Sequence, residues 1–389
     1  MGKVIYTHLY DMKEYQEILQ LIKVSQFSEY SVNYMEDWDW NEIYSEATAQ
    51  AIVGIIAGVI PKRIVDTDKR WQQILLRQKA NYIQYCYAEK ELNRVLTEVG
   101  IPFVILKGNA SAIYYKHPEQ RKMGDIDFIV LPCDYEKTKD ILVQKGYIEK
   151  HEEPRHIGYK KDGFFFELHK CFSHDIDIDS YIMDGIKKRI SGRVGEYEFP
   201  MLPSIANGLV LLDHMKYHLK TGMGLRQIID WMMYVSRELS DDVWFNGFNM
   251  IVKEKGMYKF AITITKMCQI YLGLQKTITW CNSGDNELCK RLMQHVMVSG
   301  NFGKKLGDGY MFQLVSTRFQ REGKIRYLQS IGENTWKAYK KHHWLKPFAW
   351  VYQLFRFIQH GLQTNRRRKI SGDIQHSKER VRLLKELEI

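Results

Sequence analysis

The sequence has no apolar run long enough to cross a lipid bilayer. Its longest apolar stretch extends from Ala51 to Ile60, whereas a membrane-spanning helix needs about 20 residues. The first residues, Met1 to His8, contain no secretory apolar core. We therefore expect a cytoplasmic protein without a transmembrane segment.

Paired cysteine motifs are also absent. The six cysteines form no C-x-x-C pair and no zinc-ligand spacing. This distribution is typical of a reducing compartment, in which cysteines act as small apolar residues. The sequence contains neither low-complexity tracts nor repeats of solenoid length, which argues against a repeat architecture.

The sequence has fewer acidic than basic residues. The chain has 57 Lys and Arg residues against 46 Asp and Glu residues, a formal net charge of +11. This balance favours anionic partners: nucleotides, nucleic acid or an anionic membrane face. Basic proteins are common, so the charge gives only general support to such a partner.

The hydrophobic pattern predicts an α+β fold with three regions. Residues 1–98 form an N-terminal helical region, 99–200 a small mixed-sheet α/β core, and 201–389 a large C-terminal helical region. Within the first region, one helix is predicted from Trp40 to Val59 and a long one from Trp71 to Val99.

Two predicted strands carry polar residues at a spacing of two. Side chains at positions i and i+2 of a strand point to one face. Asp125 and Asp127 therefore project together, and so do Glu167 and His169. An isolated Asp-x-Asp pair is usually a solvated turn, but this pair follows Gly124 and comes with a second polar strand.

A third predicted strand, Phe103 to Leu106, leads into Lys107 and Gly108. Carboxylates and a glycine turn at strand ends are typical of divalent-metal chemistry on a phosphate compound. Magnesium takes oxygen ligands, usually one or two protein carboxylates, with water and substrate phosphates completing its shell. Two such ions can clamp the attacking and leaving oxygens of a phosphoryl transfer.

These motifs resemble those of the polymerase-β-type nucleotidyltransferase superfamily and, more narrowly, a bacterial family of uncharacterised nucleotidyltransferases. The resemblance covers residues from about 85 to 235. It is carried by Leu106-Lys-Gly108, Tyr114-Tyr115, Arg121-x-x-Gly-Asp125-x-Asp127 and Glu167-Leu-His169.

The resemblance implies a role for each matching residue. Asp125, Asp127 and Glu167 would be catalytic and would hold the metal, two Mg²⁺ ions, with an NTP as substrate. Glu167 would also help to deprotonate the acceptor hydroxyl. The implied nucleotide-binding residues are Lys107, Gly108, Asn109, Ser111 and Arg121. His169 shares a face with Glu167, so it is a further nucleotide-binding candidate through a phosphate contact; an outer contact of the metal ligands and a hydrogen-bonded structural histidine are the alternatives.

The phosphate loop departs from the pattern that the resemblance implies. The superfamily usually has Ser or Gly after the loop glycine, and this chain has Asn109. Asn can still donate a hydrogen bond and cap the next helix, so we expect altered phosphate contacts, with Ser111 as a substitute donor.

Polar residues of two later helices are candidates for a pocket wall. His214 and His218 are spaced for zinc on one helix face, although no H-E-x-x-H motif accompanies them. Arg226 and Asp230 are i, i+4 partners, so the pair is either a helix-surface ion pair or part of the nucleotide or acceptor pocket. His156 is expected on the surface.

Near the C-terminus, an amphipathic aromatic stretch from Phe348 to Leu362 precedes a basic run, Arg366 to Lys369. Peripheral membrane contact and nucleic-acid contact are both open, but a core helix followed by a solvated turn is commoner.

The sequence is compatible with three functional hypotheses. The first is a Mg-dependent transfer of NMP from an NTP to an acceptor hydroxyl on a metabolite or sugar phosphate, a protein or an RNA. The second is an inactive nucleotide-binding scaffold or sensor of the same fold, for which Asn109 is the only support. The third, a hydrolase built on His214 and His218, lacks ligands. The enzyme interpretation is favoured because all three carboxylates are present.

Overall fold

Short runs of β-branched and aromatic residues form a seven-stranded mixed sheet within the part of the chain that a computed structural model describes, residues 15–173, 178–301, 305, 324–336, 342–363 and 370–389. The spatial order of the strands is β3-β4-β5-β2-β1-β7-β6. The strands are β1 (Phe103–Leu106), β2 (Ile126–Val130), β3 (Ile148–Glu152), β4 (His156–Lys161), β5 (Phe164–His169), β6 (Ile190–Val194) and β7 (Tyr197–Met201).

The centre of the sheet is parallel in part and its two sides are antiparallel. Strand β2 pairs antiparallel with β1 and parallel with β5, and β1 pairs parallel with β7. The pairs β3–β4, β4–β5 and β6–β7 are antiparallel. Strands β1 and β2 are buried along their whole length, as expected for strands covered on both faces. The edge strand β3 is exposed.

Helices precede the sheet, connect its strands and make up most of the chain after it. Short 3₁₀ turns cover Pro118–Gln120, Pro132–Asp134 and His343–Phe348, and a π-helical turn covers Trp244–Phe248. The α-helices are α1 (Gln16–Gln26), α2 (Trp40–Ala49), α3 (Val53–Ala57), α4 (Lys62–Thr67), α5 (Arg70–Glu98), α6 (Gly108–Ala112), α7 (Tyr135–Gln144), α8 (Asp179–Lys187), α9 (Ser204–Thr221), α10 (Leu225–Glu238), α11 (Asp241–Val243), α12 (Asn249–Glu254), α13 (Tyr258–Tyr271), α14 (Asn286–Ser299), α15 (Lys324–Thr335), α16 (Ala349–Gln363) and α17 (Ile370–Glu386).

A buried glutamine joins the N-terminal helices to the later ones. The Nε2 of Gln50 donates to the carbonyl of Met297 at 3.2 Å, and its Oε1 accepts from the backbone N–H of Leu225 at 3.0 Å. Because Gln50 is fully buried, both groups need such partners. The core is therefore continuous from α2 to α10 and α14.

The structure confirms the predicted α+β class and the helices that flank the sheet. The single helix predicted from Trp40 to Val59 is wrong: it breaks after Ala49, because Ala51 adopts a positive φ of 59° that a helix excludes. Strands β6 and β7 were not predicted. The division into regions 1–98, 99–200 and 201–389 stays a prediction.

The C-terminal aromatic stretch lies in a helix, α16. The basic run from Arg366 to Lys369 lies outside the described residues, so the choice between a membrane contact, a nucleic-acid contact and a solvated turn stays open. Among the described helices, none has the length and apolarity that a bilayer span would need.

Candidate active site

The turn after β1 places Lys107 and Gly108 in a left-handed conformation, with φ of 54° and 44°. Glycine adopts such angles without strain. Space also restricts this position, because a Cβ on Gly108 would lie 2.3 Å from the hydroxyl of Tyr85 on α5. The same hydroxyl donates to the carbonyl of Asp125 at 3.2 Å. Tyr85 therefore supports both the glycine turn and the start of β2.

Strands β2 and β5 bring two carboxylates side by side. They are parallel neighbours in which Asp127 pairs directly with Glu167. Directly paired residues project from one face of the sheet. Asp125 immediately precedes β2, two residues before Asp127, and lines the same cavity as the pair. The three carboxylates thus converge on one sheet face.

Asp127 is the most closely contacted of the three carboxylates. Its Oδ1 accepts from Nζ of Lys107 at 2.7 Å and lies 2.9 Å from Nε2 of His169. Glu167 lies between two imidazoles: its Oε2 is 3.6 Å from Nε2 of His169, and its Oε1 is 3.7 Å from Nε2 of His156.

The environment separates the pKa values of these carboxyl groups. Burial acts to raise the pKa of Asp127, but Lys107 and His169 outweigh it and hold the pKa well below its usual range. Burial, and then the charge of Asp127, raises the pKa of Glu167 to about 8. The same two causes raise the pKa of Asp125. Perturbed, mutually interacting carboxyl groups are typical of functional sites.

The site residues fit a divalent metal ion. Among the described residues, Asp127, Glu167 and His169 each offer one ligand atom, and these atoms all lie within 4.8 Å of one another. Carboxylate oxygens are the donors that Mg²⁺ prefers. Asp125 adds a third carboxylate, which is close enough to interact electrostatically with Asp127 and Glu167 and to shift their proton affinities. The imidazole of His169 adds a softer donor.

Arg121 and Asp230 form a buried ion pair at the wall of the cavity. Nε and Nη2 of Arg121 donate to the two carboxylate oxygens of Asp230 at 2.7 and 2.8 Å, and the hydroxyl of Tyr115 donates at 2.6 Å. Asp230 is therefore buried, not part of a helix-surface pair. Arg226 donates instead to the carbonyl of Lys122 at 3.3 Å.

Asn109 and Ser111 lie inside the protein. Both are fully buried, and neither lines the cavity. Nδ2 of Asn109 donates to Oε2 of Glu89 on α5 at 2.8 Å. Burial raises the pKa of Glu89 to about 7. Asn109, which departs from the expected loop pattern, thus connects the turn to α5.

Helices α9 and α10 form the opposite wall of a cavity of about 340 Å³. The rings of His214 and His218 are 4.3 Å apart between centroids. Burial, and then the charges of Lys107 and Arg226, lowers the pKa of His218 to about 3, so its imidazole is neutral at physiological pH. The predicted site residues that line the cavity are Lys107, Gly108, Arg121, Asp125, Asp127, Glu167, His169, His214, His218, Arg226 and Asp230.

The comparison with protein families agrees with this geometry. Residues 8–273 match the model of a family described as uncharacterised nucleotidyltransferases. The chain belongs to this family. It is accordingly a nucleotidyltransferase, an enzyme that transfers a phosphorus-containing group. A search of curated proteins gave no match. The matched range extends well beyond residues 85–235 and includes the N-terminal helices as well as the sheet, α9 and α10.

The nucleotidyltransferase cavity includes residues that sequence reasoning missed. His156 was expected on the surface, and this was wrong: it lines the cavity beside Glu167. Arg155 also lines the cavity and donates to the carbonyl of Phe172 at 3.0 Å. Only the pairing of β4 with β5 brings His156 opposite His169, so no local pattern could have identified it.

Proposed function

We propose that this nucleotidyltransferase is Mg²⁺-dependent and moves an NMP group from an NTP to an acceptor hydroxyl. The observation that carries the proposal is the direct pairing of Asp127 with Glu167 beside the Lys107–Gly108 turn. The pairing supplies oxygen ligands at the cavity, and the adjacent glycine turn places the Lys107 cation 2.7 Å from Asp127. The sequence motifs support the finer assignment to the polymerase-β-type superfamily.

The proposed reaction forms a bond between the acceptor oxygen and the α-phosphorus and breaks the bond from that phosphorus to the pyrophosphate oxygen. The hydroxyl proton passes to Glu167 in its ionised form, and pyrophosphate leaves. Lys107 and the backbone at Gly108 face the phosphates. Bound Mg²⁺ would be held by Asp125, Asp127 and Glu167 and would stabilise charge on the phosphate oxygens. Catalysis is then largely positioning and charge stabilisation.

The acceptor stays open between a metabolite or sugar phosphate, a protein side chain and an RNA. The cavity volume of about 340 Å³ is within the range of small-molecule sites. The positive net charge of +11 favours an anionic acceptor. The cytoplasmic location stays a prediction, and RNA as a partner and a peripheral membrane contact stay open alternatives.

The test is calorimetric titration of the full-length protein with each of the four NTPs in the presence and absence of Mg²⁺. We expect Mg²⁺-dependent binding of at least one NTP. Asp127→Asn keeps the size of the side chain but removes its charge, and it should abolish that binding. The matched control is Asp140→Asn, which changes an exposed carboxylate on α7 and should bind like wild type.

Reactions of labelled NTP with each candidate acceptor then identify the acceptor. Only the true acceptor should support the release of pyrophosphate. Binding that survives Asp127→Asn would place the nucleotide elsewhere and contradict the proposal. So would the absence of NTP binding by folded wild type both alone and with the candidate acceptors.

The alternative of an inactive sensor rests on Asn109. Because this side chain donates to buried Glu89 and does not line the cavity, its presence leaves the cavity surface unchanged. A sensor would bind NTP without releasing pyrophosphate with any acceptor, whereas the proposed enzyme gives both results.

A further inference from the structure

A row of directly paired residues crosses three neighbouring strands beside the cavity. His151 on β3 pairs with Gly158 on β4, and Gly158 pairs with Glu167 on β5. Paired residues project from the same face, and adjacent strands are about 4.8 Å apart. Because Gly158 has no side chain, the space above β4 is left open between the imidazole and the carboxylate.

The imidazole of His151 occupies that space. A Cβ on Gly158 would lie 2.3 Å from its Cε1 and 2.7 Å from its Nδ1. A second imidazole comes from His156, two residues before Gly158 on the same strand, with its ring centroid 5.8 Å from that of His151. His151, His156 and Glu167 each offer a ligand atom, and these atoms lie within 4.8 Å of one another.

We infer that His151, His156 and Glu167 form a second cation site, which takes a first-row transition-metal ion such as Zn²⁺. Two imidazoles and one carboxylate suit zinc and its neighbours, whereas Mg²⁺ prefers oxygen donors. Three protein ligands leave a coordination position open, as in catalytic zinc sites.

Glu167 belongs to both sites. Its Oε1 faces His156 at 3.7 Å, and its Oε2 faces His169 at 3.6 Å. Each oxygen can therefore serve a different ion. The zinc site needs neither Asp125 nor Asp127, so the inference stands whether or not the proposed NTP chemistry is correct.

The experiment is calorimetric titration of the full-length protein with Zn²⁺ in excess Mg²⁺. We expect one Zn²⁺ to bind per chain despite the Mg²⁺. His151→Ala, which changes an exposed side chain, should weaken that binding by at least about tenfold, since even outer-shell changes have effects of this size. Gly158→Ala should do the same without removing a ligand, because the added methyl group displaces the imidazole of His151.

The matched control is His117→Ala. His117 is an exposed histidine with Nδ1 3.6 Å from a carboxylate oxygen of Glu119, and its removal should leave Zn²⁺ affinity unchanged. Circular dichroism of each variant establishes that the fold is retained.

The Asp127→Asn background separates this site from the predicted Mg²⁺ site. Zn²⁺ binding should persist in Asp127→Asn and be at least about tenfold weaker in Asp127→Asn combined with His151→Ala. X-ray absorption at the zinc edge should show two imidazole ligands in the Asp127→Asn variant. The inference is overturned if wild type binds no Zn²⁺, or if folded His151→Ala and Gly158→Ala both retain wild-type affinity.

Discussion

Arg121 and Asp230 are joined by two parallel hydrogen bonds, Nε to Oδ1 at 2.7 Å and Nη2 to Oδ2 at 2.8 Å. Both residues are almost completely buried, with 4% and 6% of their surface exposed. The pair connects the segment before β2 to α10, so it fixes the position of the helical wall relative to the carboxylates. Two-point binding of this kind adds geometric specificity to charge attraction.

Removing one partner of this pair should destabilise the fold strongly. Asp230→Ala leaves the Arg121 guanidinium buried without its carboxylate, which typically costs about 3–5 kcal/mol. We expect the urea concentration at the denaturation midpoint to be much lower than in wild type. Asp184→Ala is the control, because it removes the exposed partner of Lys188 and exposed pairs contribute little. Equal midpoints for the two variants would contradict this prediction.

Gly108→Ala should disturb the turn for two separable reasons. The methyl group would overlap the hydroxyl of Tyr85 at 2.3 Å, and the backbone angle φ of 44° is unfavourable for alanine. We expect a lower midpoint and weaker NTP binding than in wild type. Gly146→Ala has the strain of a positive φ, 82°, but open space around the added Cβ, so its cost should be limited to the backbone strain of about 1–2 kcal/mol.

Combining Gly108→Ala with Tyr85→Phe should recover part of the lost stability. The double variant removes the overlapping hydroxyl and keeps the ring, so the steric component is relieved and the backbone strain remains. A double variant that is no more stable than the sum of the single effects would show that the overlap is not the cause.

Glu89 should make stability depend on pH. Burial raises its pKa in the folded protein to about 7, from an ordinary value of 4.5. Between these values the folded state binds more protons than the unfolded state, so stability falls as pH rises from about 4.5 to 7 and then levels off. The full loss is on the order of 3 kcal/mol.

Glu89→Gln should remove this contribution while still accepting a hydrogen bond from Asn109. We expect the stability of the variant relative to wild type to increase between pH 5 and pH 8 in urea titrations. A difference that stays constant over this range would show that Glu89 does not bind a proton on folding.

Local patterns account for the parts of the site that the sequence predicts. The spacing of two places Asp125 with Asp127 on one face, and the glycine after β1 indicates the turn. The α+β class follows from the change between helical and strand periodicity. Strands β6 and β7 were not predicted, although Tyr197, Phe199 and Met201 in β7 alternate with Glu198 and Pro200 and two of the three, Phe199 and Met201, are buried.

Asn109 shows where residue chemistry alone is ambiguous. Its amide is equally suited to a phosphate or to a buried carboxylate, and its position in the loop predicted the phosphate. In the structure the amide donates to Glu89, because α5 passes directly below the turn. No pattern within the loop contains that information.

The sequence by itself determined the strands that carry the carboxylates, the faces that their residues share and the family to which the chain belongs. Only the tertiary structure decided that Asp127 lies opposite Glu167, that Arg121 holds Asp230 and that Gly158 makes room for His151. The physical reason is that periodicity reports the geometry of neighbouring residues along the chain. Strand register and buried ion pairs depend instead on which distant segments pack together, and those segments carry no local mark of their partners.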